Sequence, residues 1–492
     1  MKKGVIAGLV AIALVGIGAA AVPALQEYAA ARIKVEIERD GTTTVGRVEV
    51  GLFGRRVALT DVKSSHAAGL SVGHWEASGL SWPLAELMRG HMPLASFRWG
   101  EPLQADRVEL KDLRAGNHGT GGIWKVDSLV LEGLGLARFD VDDAGPYGPV
   151  VLVARTLNAL SVRRLELHGA AIALPGSSDT FGVATVVAER YEGGRMATMV
   201  IGGIEVTASE SRAPLFRVAD VAVGGLDVRR SLVALSSTDW GPNASIGQIR
   251  VEHANVSGFS GDILARYGVS LGSINIDTVH ESDKVSRSRT RIDGFVLAPP
   301  LRNMESLKLR LALQAMGLRE LKLGFDCAGT EDRARAEVTI DRCTLTGPDL
   351  AEVNFTGRIT GADEAFWHAV DDGDFAAFYE SKAALASARL VLADRSLLER
   401  ALKALATTTG QPISATRASL ARDIRRFQPA GVLITQGLEQ VLDSTARFVE
   451  QGGTLTFDAR PDPPLAIDRI DYLTSPGSDL VNALGLSATL AR

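Results

Sequence analysis

The chain has 492 residues, 46% hydrophobic and 23% charged, with a formal net charge of −5; the length exceeds one ordinary domain and the balance is that of a folding chain. Without a lysine- or arginine-dense tract it lacks the basic footprint of a nucleic-acid-binding protein, so no nucleic acid is expected as a partner. Fifty-one glycines and only 5% aromatic residues suit many short strands joined by tight turns better than an aromatic-rich catalytic domain.

At the N-terminus, Met1-Lys2-Lys3 precedes an uncharged stretch from Gly4 to Gln26. A helix rises about 1.5 Å per residue, so roughly 20 apolar residues cross a hydrocarbon core of about 30 Å, whereas a signal-peptide core has about 7–15. Residues 4–26 are therefore expected to anchor the chain in the inner membrane as a single-pass helix. The lysines hold the N-terminus in the cytoplasm, and the bulk of the chain lies in the periplasm. The run Gly18-Ala19-Ala20-Ala21 also offers cleavage sites, which leaves a cleaved signal peptide and a soluble periplasmic chain as the alternative.

After this segment and linker (residues 1–31), residues 32–304 repeat one unit: a few apolar residues in alternation, a Gly, Asn or Asp turn, then another such run. Ile33, Val35 and Ile37 alternate first. Val108 and Leu110, Leu129 and Leu131, Leu165 and Leu167, Val221 and Val223, Ile249 and Val251, and Ile274 and Ile276 follow. Alternation gives every strand one apolar face and one mixed face. Several units share a phrasing, as in ADRVELKDLRAG, VDSLVLEGLGLA and VADVAVGGLDVR, where a first strand is followed after a short break by a second apolar step. The spacing is too irregular for a solenoid family of fixed period. One-faced strands still bury their apolar side by adding neighbours, so the expected fold is mainly β, an elongated, curved, repeat-like sheet that is groove- or solenoid-like. The residues named from Val108 to Ile276 are its candidate groove lining, although parity alone does not say which face is interior.

The segment VGRVEVGLFGRRVALTDVKSS (residues 45–65), following the apolar N-terminus, together with strand steps such as VELKDL and LVLEGL, resembles the AsmA-like group, which includes the TamB type of periplasmic protein. That resemblance covers the anchor and roughly residues 40–300. It implies a U-shaped β-groove with an apolar interior, acting in phospholipid movement or outer-membrane upkeep, with no catalytic residues. The MKK start and strand pairs such as LKLGFDCAGTEDRARAEVTIDRC also resemble the YdgA-like periplasmic proteins, whose function is obscure.

Residues 305–492 read as a separate α+β region with amphipathic helices. Leu307, Leu309, Leu311 and Leu313 alternate as a strand would, as do Leu321, Leu323 and Phe325, then Ala336, Val338 and Ile340, then Val353 and Phe355. After Gly361 the period shifts toward 3.6. One helix follows Asp394, with Leu398, Ala401, Leu402 and Leu405 in a stripe ending near Gly410; another starts at Ser414; a third carries Leu438, Val441, Leu442, Phe448 and Val449 up to Gly452. Strands return at TLTFDA and LAIDRIDYL before a short helix near Ser478–Leu484. Phe366, Trp367, Phe375, Phe378 and Tyr379, set among acids, read as a packing element with a solvated acidic edge.

Two cysteines, Cys327 and Cys343, are the only thiols, and an oxidising compartment permits them to pair. A simple hairpin turning at AGTEDR sets Cys327 opposite Ala334–Ala336 and Cys343 nearer Arg319. A bridge would then require another strand arrangement or a partner chain; the alternative is two free, half-buried thiols.

Motifs for chemistry fail on context. Gly268-Val269-Ser270-Leu271-Gly272 matches a nucleophile elbow, but SINID after it reads as strand where a helix is required. The histidines, among them His66, His74, His91 and His118, are scattered, and Asn117–Gly122 lacks the lysine of a phosphate loop. Asp140, Asp142 and Asp143 read as a solvated loop rather than a calcium site. No catalytic residue, metal or cofactor is therefore expected. The expected function is lipid handling or envelope maintenance without catalysis, with phospholipid or an envelope protein as partner. The alternative is a structural or assembly factor that binds an envelope protein by β-strand addition.

Overall fold

The computed structural model describes residues 22–491 except 40, 66–68, 82, 90–99, 117–122, 142–147, 174–178, 209–212, 238–248, 302–303, 373–374, 429–431 and 475–476. The fold is mainly β, an antiparallel sheet of twenty strands with most of its helices in the C-terminal part. The chain forms two compact units, one of residues up to Leu215 with Ala222–Arg250, the other of Phe216–Val221 with Val251–Arg492.

The first unit opens with helix α1 (22–38). Strands β1 (Thr43–Gly51), β2 (Arg56–Ser64) and β3 (Leu70–Ser78) follow, then the short α2 (Leu84–Met88), β4 (Leu103–Gly116) and β5 (Ile123–Leu136). Next come α3 (Gly148–Ala159), β6 (Leu160–Ala173), β7 (Thr180–Glu192), β8 (Arg195–Thr207), β9 (Phe216–Asp227, whose first half counts with the second unit) and α4 (Arg229–Leu235). From β1 to β8 each strand pairs antiparallel with the next in sequence. The β7–β8 hairpin turns on Gly193-Gly194, both at positive φ (52° and 88°), the backbone that a two-residue turn between twisted strands demands.

Ile33, Val35 and Ile37 lie in α1, not in a strand. Ile33 and Ile37 are four residues apart and share a helix face; Ile33 is fully buried with Ala29, whereas Val35 points away and is 65% exposed. Alternation over three residues does not separate the two periods. The expected span 4–26 falls mostly on residues 1–21, outside the described residues. Among the described residues no helix is long and apolar enough to cross a membrane. Nor is the stretch from 32 to 304 made of strands alone: α3 buries Val151 and Ala154, three residues apart, and leaves Val150 and Val153 exposed.

One local motif recurs along these strands. Asp61, Gly79, Asp112, Gly133, Gly169, Arg190, Gly203 and Gly225 all have φ between 53° and 64°. Each is preceded, four and two residues earlier, by two apolar side chains, from Val57/Leu59 at Asp61 to Val221/Val223 at Gly225. A left-handed residue costs roughly 1–2 kcal/mol when it carries a Cβ and nothing extra for glycine; Asp tolerates it by local hydrogen bonding. At Asp61, Asp112, Gly133, Gly169, Arg190 and Gly203 the strand register runs straight through, but the residue pair itself drops out of the ladder: Val126–Ala170 and Ser128–His168 are partners while Asp127 and Gly169 between them are not. The breaks in ADRVELKDLRAG and its relatives are therefore kinks inside continuous strands, not turns between two of them.

The second unit holds β10 (His253–Ser257), α5 (Asp262–Tyr267), the two-residue β11 (Val269–Ser270), β12 (Ser273–Ser282), β13 (Val285–Leu297) and α6 (Met304–Ala315). It continues with β14 (Leu321–Asp332), β15 (Glu337–Gly347), β16 (Ala351–Thr360), α7 (Glu364–Asp372), α8 (Phe375–Glu380), β17 (Ala384–Asp394), α9 (Leu397–Thr409), α10 (Ile413–Arg425) and α11 (Gln436–Gln451). The chain closes with β18 (Thr454–Ala459), β19 (Leu465–Ala466), a 3-10 turn (Ile467–Thr474), α12 (Leu480–Leu484) and β20 (Leu486–Ala491). Pairing again follows sequence order, antiparallel throughout, with β11 against β13 and β19 against β17.

Three expectations are corrected here. The segment with Leu307, Leu309, Leu311 and Leu313 is helix α6, built almost wholly from strong helix formers (Met, Glu, Leu, Lys, Arg, Ala, Gln) with no β-branched residue; Leu313 is buried while Leu309 and Leu311 are exposed. LAIDRIDYL is strand only at Leu465–Ala466 and then coils into the 3-10 turn. The β14–β15 hairpin turns at residues 333–336, later than AGTEDR, and carries a bulge between Ala328 and Gly329, so Cys327 and Cys343 are direct cross-strand partners. They are joined as a disulfide with Cα atoms 3.9 Å apart. The helices after Asp394, near Ser414 and up to Gly452 fall at α9, α10 and α11. Glycine at φ 68° caps α9, and the Thr435 hydroxyl at the start of α11 accepts the Leu438 N–H.

Candidate functional site

Direct partners in an antiparallel ladder point to the same face, so the register fixes which side chains lie together. In the first unit two apolar rows run across eight strands without a polar interruption. Val48 and Val50 of β1 face Leu59 and Val57 of β2, which face Trp75 and Ala77 of β3, then Leu110 and Val108 of β4. Leu129 and Leu131 of β5 continue the rows, then Leu167 and Leu165 of β6, Val186 and Ala188 of β7, and Ile201 and Met199 of β8.

The opposite face of the same strands carries internally paired charges, with Val130, Val187 and Val200 set among them on β5, β7 and β8. Arg56 reaches Glu76 at 2.7 Å, Lys111 and Arg107 hold Glu109 at 2.6 and 3.1 Å, and Arg164 links Glu166 and Glu189 at 2.6 and 3.0 Å. The Arg56 guanidinium holds the Glu76 carboxyl below the usual carboxylate range, and the Lys111 ammonium, with Arg107, does the same for Glu109. Exposed pairs of this kind contribute only about 0–1 kcal/mol each. Their effect is to make this face compatible with water and to leave the other as the face that must be covered.

That cover is uneven. Over β1–β4 helix α1 lays Ala29 and Ile33 on the rows, burying Val50, Val57, Leu59, Ala77 and Val108. Along β5–β8, Leu129, Leu131, Leu165, Leu167, Val186, Met199 and Ile201 are only half-buried. Full burial of such a side chain is worth about 1.5–3 kcal/mol over exposure, so this stretch retains a capacity to gain by contact with another apolar body.

The second unit repeats the arrangement. One row runs Ile274, Ile292, Phe325, Leu345, Val353, Leu392, Leu455 and Leu490 from β12 to β20; the other runs Ile276, Thr290, Cys327, Cys343, Phe355, Leu390, Phe457 and Ala488. The disulfide is thus part of a row that is apolar apart from Thr290. The opposite face carries Arg289 and Arg342 on Asp326, and Arg395 on Glu352. Helices α7 and α8 close one end of this unit, where Phe366 and Trp367 pack with Ala362, Ala383 and Ile467 against Val338 and Ile359.

Of the candidate lining residues, Val108, Leu110, Leu129, Leu131, Leu165 and Leu167 are brought together in the rows of the first unit, and Ile274 and Ile276 in those of the second. Val221 and Val223 lie on β9. Ile249 and Val251 lie outside any strand, on either side of a single bridge between Arg250 and Asp227, and Ile249 is 59% exposed. Val57, Leu59, Trp75, Ala77, Val186, Ala188, Met199 and Ile201 complete the rows; a Gly or Asp two positions further on marks those of β2, β3 and β8 in the sequence, whereas at β7 Arg190 takes that place and no local signal marks Val186 and Ala188.

Ser270 sits in β11 with helix α5 before it and strand β12 after it, the reverse of a nucleophile elbow. Its two glycines have backbone duties: Gly268 caps α5 at φ 66°, and a Cβ on Gly272 would lie 2.9 Å from the Asp293 carbonyl. His74 lies 3.5 Å from Glu76 on the charged face. His66, His91, His118, the loop Asn117–Gly122, Asp142 and Asp143 lie outside the described residues. Among the described residues no three His, Cys, Asp or Glu side chains gather as metal ligands.

At the strand ends of the first unit, a cavity of about 700 Å³ opens between β5–β8 and the facing ends of α3 and α4, lined in part by Leu136, Leu160, Arg190, Glu192, Arg195 and Arg229. Asp227 accepts from Arg229 at 2.9 Å and from Arg195 at 3.1 Å. A family model described only as "Uncharacterized protein" matches residues 344–490. No curated protein matches the chain.

Proposed function

We propose that this chain is a periplasmic protein, anchored in the inner membrane by residues 4–26, whose apolar β-face forms an elongated, curved groove that shields lipid acyl chains. It acts in lipid handling or envelope maintenance and performs no catalysis. The observation that carries this reading is the pair of unbroken apolar rows across β1–β8, half-covered beyond α1, with a mixed face of paired charges and valines behind them. An apolar strip of this kind is what a chain-shielding surface requires, and the resemblance to AsmA-like proteins points the same way. A disulfide between Cys327 and Cys343 suits an oxidising compartment.

The test is site-specific photocrosslinking in cells from Leu167, on the apolar face, and from Glu166, on the charged one. Phospholipid adducts from position 167 and none from 166 are expected. Adducts from position 167 to protein alone, or equal lipid labelling at both, would sink the reading.

A further inference from the structure

The cavity at the β7–β8 turn carries charge that the apolar rows do not explain. Arg190, Arg195 and Arg229 line it, opposed by the carboxylates of Glu192, also on its wall, and Asp227, which pairs with Arg195 and Arg229. One positive charge is left over in a chain of net negative charge. Asp227 already occupies Arg229 and the Nε of Arg195. Arg190 is different: it lines the cavity, yet its guanidinium makes no hydrogen bond or ion pair among the described residues.

Arg190 is also the one arginine among the eight left-handed positions of the recurring motif. At the equivalent place β3, β5 and β9 have Gly79, Gly133 and Gly225, and β2 and β4 use aspartate. An arginine at φ 53° holds backbone strain that a glycine would not. Strain held where a permissive residue serves elsewhere marks a side chain retained for what it does.

Position supplies the third line. On β7, Arg190 is two residues beyond Ala188 of the apolar rows, and Gly135 and Ser161, also on the cavity wall, are four residues from Leu131 and Leu165. At about 3.3 Å per residue the cavity begins roughly 7–13 Å from the rows along the strands, the order of distance between a lipid's phosphate and the upper part of its chains. We propose that this cavity takes the phosphodiester headgroup of a phospholipid, with Arg190 as its principal cation and Arg195 and Arg229 flanking it, while the chains lie on the rows of β5–β8. A singly charged diester matches the one uncompensated positive charge, and guanidinium is suited to bidentate contact with phosphate oxygens. This inference rests on the apolar-face reading above.

The experiment measures binding by the full-length protein of three probes: dihexanoyl phosphatidylglycerol, dihexanoylglycerol, which has the chains but no phosphate, and inorganic phosphate. The phosphatidylglycerol is expected to bind best. Arg190→Gly should weaken it about tenfold, the loss of one charge-assisted contact, and leave dihexanoylglycerol unchanged. Because glycine relieves the left-handed strain, this variant should melt no lower than the parent, which separates lost binding from lost folding. Equal binding of phosphatidylglycerol by parent and variant overturns the inference, as does equal binding of the charged and neutral amphiphiles, although the apolar face then still stands. Displacement of the lipid by inorganic phosphate at equal concentration assigns the cavity to a free anion and also overturns it. If neither amphiphile binds, the apolar-face reading fails and the headgroup site falls with it.

Discussion

Gly203 of β8 faces Ala184 of β7 so closely that a Cβ on Gly203, at its φ of 63°, would lie 2.7 Å from the Cβ of Ala184. The left-handed backbone and the close approach act together. Gly203→Ala should therefore destabilise the first unit by about 2–4 kcal/mol, combining the cost of the left-handed region with that of overpacking. Adding Ala184→Gly should restore part of the loss, the steric part, and leave the conformational part. Urea denaturation of the parent, the single variant and the double variant separates the two contributions.

Ile33 is fully buried in the core that α1 makes with β1–β4, while Val35, one turn-fraction away, is 65% exposed. Ile33→Ala should cost about 2–4 kcal/mol, the usual range for emptying a packed aliphatic site. Val35→Ala should fall within about 0.5 kcal/mol of the parent. Equal effects on thermal unfolding would show that α1 does not lie on the rows as described.

Cys327 and Cys343 close a loop with a sequence separation of 16. A cross-link of that span restricts the unfolded chain by about 3 kcal/mol in the chain-entropy account. Replacing both cysteines by serine should lower the stability of the second unit by about 2–3 kcal/mol, and a reductant should do the same to the parent and nothing to the variant. Alkylation followed by mass measurement, with and without reduction, shows whether the thiols are paired.

Partial burial opposes ionisation of Asp227, but hydrogen bonds from the Arg229 side chain and N–H and from Arg195 outweigh it and hold the carboxyl down at about 2, against an ordinary 3.8. A depressed carboxylate adds stability that is fully present above the unfolded value and is lost as pH falls through the folded one. The contribution is about 1 kcal/mol once solvent screening of the partly exposed arginines is allowed for. The melting-temperature gap between parent and Asp227→Asn should therefore be constant from pH 7 to about 4 and close as pH approaches 2. A gap that persisted to pH 2 would show that the pairing is not electrostatic.

Much of the β architecture was legible because period-2 patterning is local: Val108/Leu110, Leu129/Leu131 and Leu165/Leu167 each declare a strand with one apolar face. The same signal misled at Leu307–Leu313 and at Ile33–Ile37, where residues two apart are also compatible with a helix and the choice rests on propensity and packing. It was silent at β17 and β20, and at the residues of β2, β3, β7 and β8 that complete the rows. Register depends on which residues oppose each other across strands far apart in sequence, and patterning within one strand does not contain that.

The cysteines show the division most plainly. Their presence, spacing and hairpin setting are written in the chain, yet a shift of the turn and one bulge at Ala328/Gly329 decide that they meet. By itself the sequence determined that the protein is strand-rich, two-faced along each strand and broken by recurrent Gly and Asp positions, because these follow from local sterics and the alternation of side chains. Only the tertiary structure decided that the faces align into continuous rows, that α1 covers just one end of them in the first unit, and that three arginines from separate elements share one cavity. Those facts arise from long-range pairing, whose free energy belongs to partners and not to single residues.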